Sequence, residues 1–263
     1  MRMRLFLIGT AIGTITAIAV TGARRWWHSW GVDPDEAARP LPGDDIVANA
    51  IGGETRGITI DAPPEAVWPW LLQMGYGRAG WYSYDQLDQR GRSADDIDEA
   101  WQALAVGDVV PTHPGGGFEV ARIEPGHALV LRSDTALVTA QAEAAQATAT
   151  GLETATPGVK LSGAMLSGTP QQFAASWAFI LEPLDGGRTR LIERFRVWFG
   201  TEQPGSRLVM PFLGFGVFVM MQKQMVGLRE RAERFASMRP PVAIPKPDAP
   251  APVEPTPEPV PTA

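Results

Sequence analysis

The sequence predicts an α+β domain, a curved antiparallel sheet wrapped around a long C-terminal helix, preceded by one N-terminal transmembrane helix. Three observations predict the domain. A strand-like run, Thr55–Ile60, passes through Pro63-Pro64 into a helix rich in large apolar groups. Much later, Phe173–Glu182 and Arg188–Phe199 flank Asp185-Gly186-Gly187, a strong signal for a tight hairpin. A last helix-periodic stretch runs from about Ser206 to Met238. In that order the sheet curls around the final helix and leaves an apolar hollow between them.

The bulk properties narrow the function. Of the 263 residues, 1–30 and 239–263 have compositions of their own, leaving roughly 200 for one domain with a sizeable core. The net charge of −6 argues against a nucleic-acid surface. The absence of cysteine excludes disulfides, thiolate catalysis and Cys-based metal sites.

The N-terminus reads as a membrane anchor. Leu5–Val20 is uncharged and continues through Thr21-Gly22-Ala23, with Arg2 and Arg4 before it and Arg24 and Arg25 after it. A span of about 19 residues approaches the ~20 that a helix needs to cross the hydrocarbon layer. Trp26, Trp27 and Trp30 follow, where indoles favour the headgroups. The competing reading is a cleaved secretory signal ending at Ala23, but the stretch is long for one and Arg-Arg directly after cleavage is unusual. Residues 5–23 are thus expected to contact the bilayer in a single pass, with Arg24, Arg25 and Arg39 tilting the domain weakly to the cytoplasmic side.

The remaining elements follow in order. Residues 31–54, polar and Pro-rich over much of their length, are expected to link the anchor to a domain spanning 55–238. The first helix, Pro64–Met74, uses proline in its first turn, where the missing N–H costs nothing; Pro69 should kink it or shift its start. Asp108–Pro111, Phe118–Ile123 and Ala128–Arg132 read as short strands between glycine turns. Residues 135–172, rich in Ala, Thr, Gly and Ser, read as a long flexible insertion with a short helix near Ala140–Ala147. In the hairpin, Phe173, Ala175, Trp177, Phe179 and Leu181 share one face, as do Leu191, Phe195, Val197 and Phe199. Phe218, Met221, Met225, Leu228, Ala232 and Phe235 form the buried stripe of the last helix. Leu208–Met221 is apolar all round, but it is short for a membrane span and is interrupted by Pro211, Gly214 and Gly216, so a core helix is expected. Residues 239–263 are expected to form a disordered Pro-rich tail.

Several stretches are similar to one known family. ITIDAPPEAVWPWL (58–71) resembles the opening strand and helix of the START-like superfamily, also called SRPBCC or polyketide cyclase/dehydrase-like. A bacterial subfamily of that group is resembled further by ARPLPGDDIV (38–47), QMGYGRAGWYSYDQLD (73–88), RSADDI (92–97), LAVGDVV (104–110) and WAFILEPLDGGRTRLIERFR (177–196). The resemblance covers about Trp30–Ala236, with 135–172 longer than expected. It implies the helix-grip fold and a hydrophobic ligand pocket. It does not imply catalysis, because the superfamily includes carriers, receptors, cyclases and hydroxylase subunits.

Each candidate for chemistry has a plainer alternative. Gly75 to Gly80 matches G-x-G-x-x-G, but an apolar helix precedes it where a dinucleotide site needs a strand; permissive backbone angles explain the glycines better. Glu193 lies between Leu191 and Phe195 on an inward face, and a carboxylate there must be paired, protonated or wet. Arg56 shares parity with Ile58 and Ile60, so Arg56 and Glu193 are expected to form an internal pair holding the polar end of a ligand. A purely structural pair, or Glu193 at a bulge facing solvent, is the alternative. Tyr82, Tyr84, Asp85 and Asp88, with Ser93 and Asp95 beyond, could rim a pocket or lock a loop and cap helices. Three scattered histidines, His28, His113 and His127, make no metal site, and nothing positions a Ser83/His113/Asp85 triad.

The expected function is membrane-tethered binding or transport of a lipid, isoprenoid or polyketide-like molecule. The cavity is expected to involve Arg56, Trp68, Leu72, Tyr82, Tyr84, Trp177, Phe179, Leu191, Glu193 and Phe195, with apolar residues of the last helix. No cofactor, metal or nucleic acid is expected, and the sequence names no protein partner. The alternative is a cyclase or hydrolase-like enzyme using Tyr82, Asp85 or Glu193 as acid or base. A third reading is an adaptor acting through the Pro-rich tail.

Overall fold

The structure, a computed structural model, describes residues 28–88, 91–149, 172–200 and 206–238. The expected anchor at 5–23, the tail at 239–263 and residues 150–171 of the insertion lie outside these. Among the described residues no helix is long and apolar enough to cross a membrane.

A short helix α1 (Pro34–Ala38) precedes strand β1 (Gly52–Ile60) and helix α2 (Pro64–Gln73). A one-turn helix α3 (Asp85–Asp88) and a 3-10 turn (Glu99–Trp101) lead to β2 (Val109–His113), β3 (Gly116–Glu124) and β4 (Ala128–Asp134). Helix α4 (Thr135–Ala149) continues directly from β4, longer than the helix expected near 140–147. The hairpin β5 (Phe173–Leu184) and β6 (Arg188–Phe199) precedes α5 (Ser206–Met238).

The six strands form one antiparallel sheet in the order β1-β6-β5-β4-β3-β2. The first strand thus closes against the last, and α5 packs across α2 and β1. This is the helix-grip arrangement the sequence predicts. The register slips once in β2–β3 and once in β3–β4; such bulges bend a strand and help a sheet to curl.

Side-chain alternation divides the sheet into two faces. Ile58, Ile60, Leu129, Leu131, Phe179, Leu181 and Leu191 point inward against Val67, Trp70 and Leu71 of α2 and Met225, Leu228 and Ala232 of α5. The outer face is also covered, by residues of the expected linker 31–54. Leu41 packs on Val130, Ala178, Ile180 and Ile192. Arg194, from the outward row of β6, bonds Asp44 Oδ2 at 2.7 Å and the carbonyls of Ala37 and Arg39. Arg190 grips Glu36, and Arg39 grips Glu182. Partly desolvated arginines require such partners, so the segment is strapped to the sheet rather than loose.

Helix α2 runs through Pro69 without a break. Its core face carries Val67, Trp70 and Leu71, with Met74 at the C-cap, all at most 1% exposed, the i, i+3, i+4, i+7 pattern. Trp68 is only partly buried against that core.

Candidate functional site

A cavity of about 350 Å³ opens between α5 and the end of the sheet where β5 begins and β6 ends. Phe118, Trp177 and Phe195 supply its wall on the sheet, with Trp81 stacked on Trp177 at 5.2 Å and 16°. Val217, Met220 and Met221 close it from α5; Leu87 of α3 lies at its rim with Ser83, Thr112 and Gln224. Among the described residues no titratable side chain lines it.

Directly behind this wall lies a buried charged group. Arg56 and Glu193 are opposite one another in the β1–β6 register and each is 1% exposed. The Arg56 guanidinium hydrogen-bonds Glu54, lies 3.0 Å from Met221 Sδ, and stands over the Phe218 ring. Glu193 Oε1 accepts a 2.7 Å hydrogen bond from the Trp177 indole, and its buried Oε2 has no hydrogen-bond partner among the described residues. Burial pushes the Glu193 carboxyl up from 4.5 to about 7, against the opposing pull of the Arg56 charge and the Trp177 hydrogen bond, while Glu54 adds to the rise. His28 Nδ1 lies 3.2 Å from Glu54 Oε1 at the outer end of the group.

The other expected site residues separate. Trp177 and Phe195 line the cavity. Phe179 and Leu191 are fully buried beneath it, and Trp68 and Leu72 do not line it. Tyr82 is a fixture of the fold. Its hydroxyl donates to the Trp70 carbonyl at 3.1 Å, its N–H donates to Ser93 Oγ, and Arg231 stands over its ring. Burial holds its hydroxyl well above the usual phenol range, unsuited to proton transfer near neutrality. Asp85 accepts from Ser93, and Tyr84 is exposed on the surface. Asp88 ends α3. Ser83 donates to the Met220 carbonyl while His113 lies beside Thr112, so Ser83, His113 and Asp85 assemble no triad.

The glycine loop at 75–80 follows α2 and folds back on itself through a Gly75–Gly80 bridge, with Gly75, Gly77 and Gly80 at φ 133°, 71° and 84°. These angles strain any residue with a Cβ. Arg78 turns back to the Leu72 carbonyl at the end of α2 and stands over Trp101. The loop is a clasp for the helix terminus.

Tyr82 itself holds φ at 58°. Its carbonyl touches Gly227 of α5 so closely that an added Cβ there would sit 2.1 Å from the oxygen. Gly227→Ala should therefore destabilise the protein by about 1–3 kcal/mol, outweighing a helix-propensity gain of up to about 1 kcal/mol. A lower urea midpoint would register this; an unchanged or higher midpoint would refute the contact.

Glu54, Trp81, Phe118 and Gln224 were not among the expected site residues, whereas Met220 and Met221 are among the apolar residues of the last helix expected to line the cavity. Glu54 shares parity with Arg56, and Phe118 with Val120, so strand alternation carried the signal for both. Trp81 stood in the aromatic stretch, but its stack on Trp177 joins segments far apart in the sequence.

The clasped helix, closed strand order and apolar cavity define a helix-grip domain with a pocket of ligand size. No family model matches the chain, and no curated protein matches it. Solved structures similar to it include a Mesorhizobium loti protein (16% identity, TM-score 0.34, covering 70% of this chain and 98% of that one). An aromatase/cyclase from Streptomyces sp. R1128 is 12% identical with a TM-score of 0.31 over 72% of this chain and 96% of that one. A START superfamily protein from Mycobacterium smegmatis is 12% identical with a TM-score of 0.28 over 69% and 97%. At these values the fold rests on this chain's own strand order and register.

Proposed function

We propose that the domain binds a hydrophobic small molecule, such as a lipid, isoprenoid or polyketide-like compound, in the cavity beneath α5. The observation that carries this is an aromatic and methionine-walled cavity backed by one buried polar group. Trp177 and Met221 both line the cavity and both bond that group, one through Glu193 and the other through Arg56. The seam between them is where a ligand's polar end would approach that group, with the Trp177 indole standing between the cavity and the Glu193 carboxyl. Binding of this kind needs apolar area and a few placed polar atoms.

Carriage fits better than catalysis. An acid–base mechanism requires titratable groups within reach of the reacting atoms, and among the described residues the wall holds none. In this reading residues 5–23 tether the domain to a bilayer, which raises the local concentration of any ligand leaving the membrane.

The test is native mass spectrometry of full-length protein in detergent, followed by uptake from a lipid library. Met220→Trp, which fills the cavity, should weaken uptake about tenfold or more, equivalent to ~1.4 kcal/mol, while Leu184→Trp at the far end should not. A protein that retains no apolar molecule and takes none from the library would refute the proposal.

A further inference from the structure

We propose that the end of the domain bearing the cavity mouth is a bilayer-docking face. The proposal goes beyond ligand binding and rests on the reading of residues 5–23 as a membrane anchor.

The first support is where the chain enters the domain. His28 is held against Glu54, and Glu54 lies opposite Phe195 of the cavity wall in the β1–β6 register. From Ala23 to His28 the chain can extend at most about 18 Å, at ~3.6 Å per residue. A membrane helix ending at Ala23 therefore keeps the cavity end, and not the opposite hairpin turn, near the headgroups.

The second support is the rim. Leu87 is 75% exposed and Val217 45% exposed, and both line the mouth from different elements. A single exposed leucine is ordinary; two apolar side chains flanking an open apolar cavity form a patch that water does not favour. Tyr84, 41% exposed, belongs to the same stretch as Leu87 and is a residue type enriched at lipid interfaces.

The third support is α5. At Gly216 an added Cβ would meet no described atom within 4 Å, so the helix is open on that side. It nevertheless reaches back to Ser206, and from Ser206 to Phe215 the sequence has one charge, Arg207. The opposite end is different: the turn after Leu184 carries Asp185 and Arg188, and Glu182 nearby is paired with Arg39.

The occupant is a bilayer rather than a protein because the residues leading into this end, Arg24, Arg25, Trp26 and Trp27, are the types that settle at the lipid interface. A ligand could then pass between bilayer and cavity without crossing water.

The chain has no cysteine, so Leu87→Cys, Val217→Cys and Leu184→Cys each give the full-length protein one labelling site. Each is labelled with an environment-sensitive fluorophore and reconstituted into phosphatidylcholine/phosphatidylglycerol vesicles containing nitroxide lipid. Labels at Leu87 and Val217 should lose more than about half their emission, as expected for groups sunk about 5–10 Å into the headgroup boundary. The label at Leu184 should lose little. Equal quenching at all three positions, or none at the rim, overturns the proposal, including the case in which a soluble protein covers the rim. Alkaline extraction of the same vesicles separates the two readings. Release of the chain refutes the anchor and docking together; retention with an unquenched rim refutes docking alone. The detergent uptake measurement is independent of both outcomes.

Discussion

Replacing Arg56 by methionine is expected to destabilise the domain by about 3–5 kcal/mol above neutral pH, the cost of removing one partner from a buried charged group. Methionine keeps much of the volume, so the loss would come from charge rather than from a void. Glu54 would be left facing His28, and Glu193 would lose the influence that most opposes its protonation. The cost should depend on pH in a defined direction. Glu193 holds its proton more tightly folded than unfolded, so its ionisation lowers stability as pH rises from about 4.5 to about 7, with no further change above. Without Arg56 this folded value moves higher and the decline extends to more alkaline pH. The difference between wild type and variant should accordingly be smaller at about pH 5.5 than at about pH 8, read from urea midpoints. A penalty below about 1 kcal/mol, equal at both pH values, would mean that Arg56 is not the buried counter-charge.

That Arg56 and Glu193 face each other across β1 and β6 was legible in the sequence for a simple reason. Arg56 shares parity with Ile58 and Ile60, and Glu193 with Leu191 and Phe195, so any pairing of the first and last strands places them on one face. The hairpin and long helix were legible for similar reasons: strand alternation, a glycine turn and a persistent apolar stripe each have one consistent solution. The strap over the outer face was not. Arg190, Arg194 and Arg196 alternate with apolar residues as a solvent-facing row would, and their partners Glu36, Asp44 and the Val47 carbonyl lie about 150 residues away in a segment whose polarity suggests a linker. Helix α2 shows a different limit. With Val67, Trp68, Trp70, Leu71, Leu72 and Met74 in succession, apolar periodicity permits more than one face; packing chose Val67–Trp70–Leu71–Met74 and left Trp68 partly buried. The cavity wall depends on contacts among β3, β5, β6, α5 and the 81–87 segment, and local pattern does not encode which aromatic side chains meet.

Trp177→Ala should cost about 3–5 kcal/mol, the range for truncating a large packed aromatic. It removes the stack on Trp81, the contacts with Phe118, Phe179 and Phe195, and the donor to Glu193. Trp177→Phe separates these effects by keeping a ring in the wall while deleting the indole N–H. It should cost about 1.5–3 kcal/mol, as for a hydrogen bond to a charged group, and most of that should appear only where Glu193 is ionised. Because the indole bond holds the carboxyl down, its loss moves the folded value above about 7 and carries the fall in stability to higher pH. A phenylalanine variant whose stability–pH profile overlays the wild type would contradict the hydrogen bond. Ligand uptake gives a second, independent reading. In wild type the indole stands between cavity and carboxylate, so an apolar probe without a polar end should bind equally at about pH 5.5 and about pH 8.5. In Trp177→Ala the carboxylate joins the wall, and its ionisation places a charge against the probe. Affinity should then fall with rising pH by about tenfold, or ~1.4 kcal/mol. If the alanine variant binds the probe with a flat pH profile, Glu193 does not stand behind that wall, and the polar pole assigned to the cavity belongs to the fold alone.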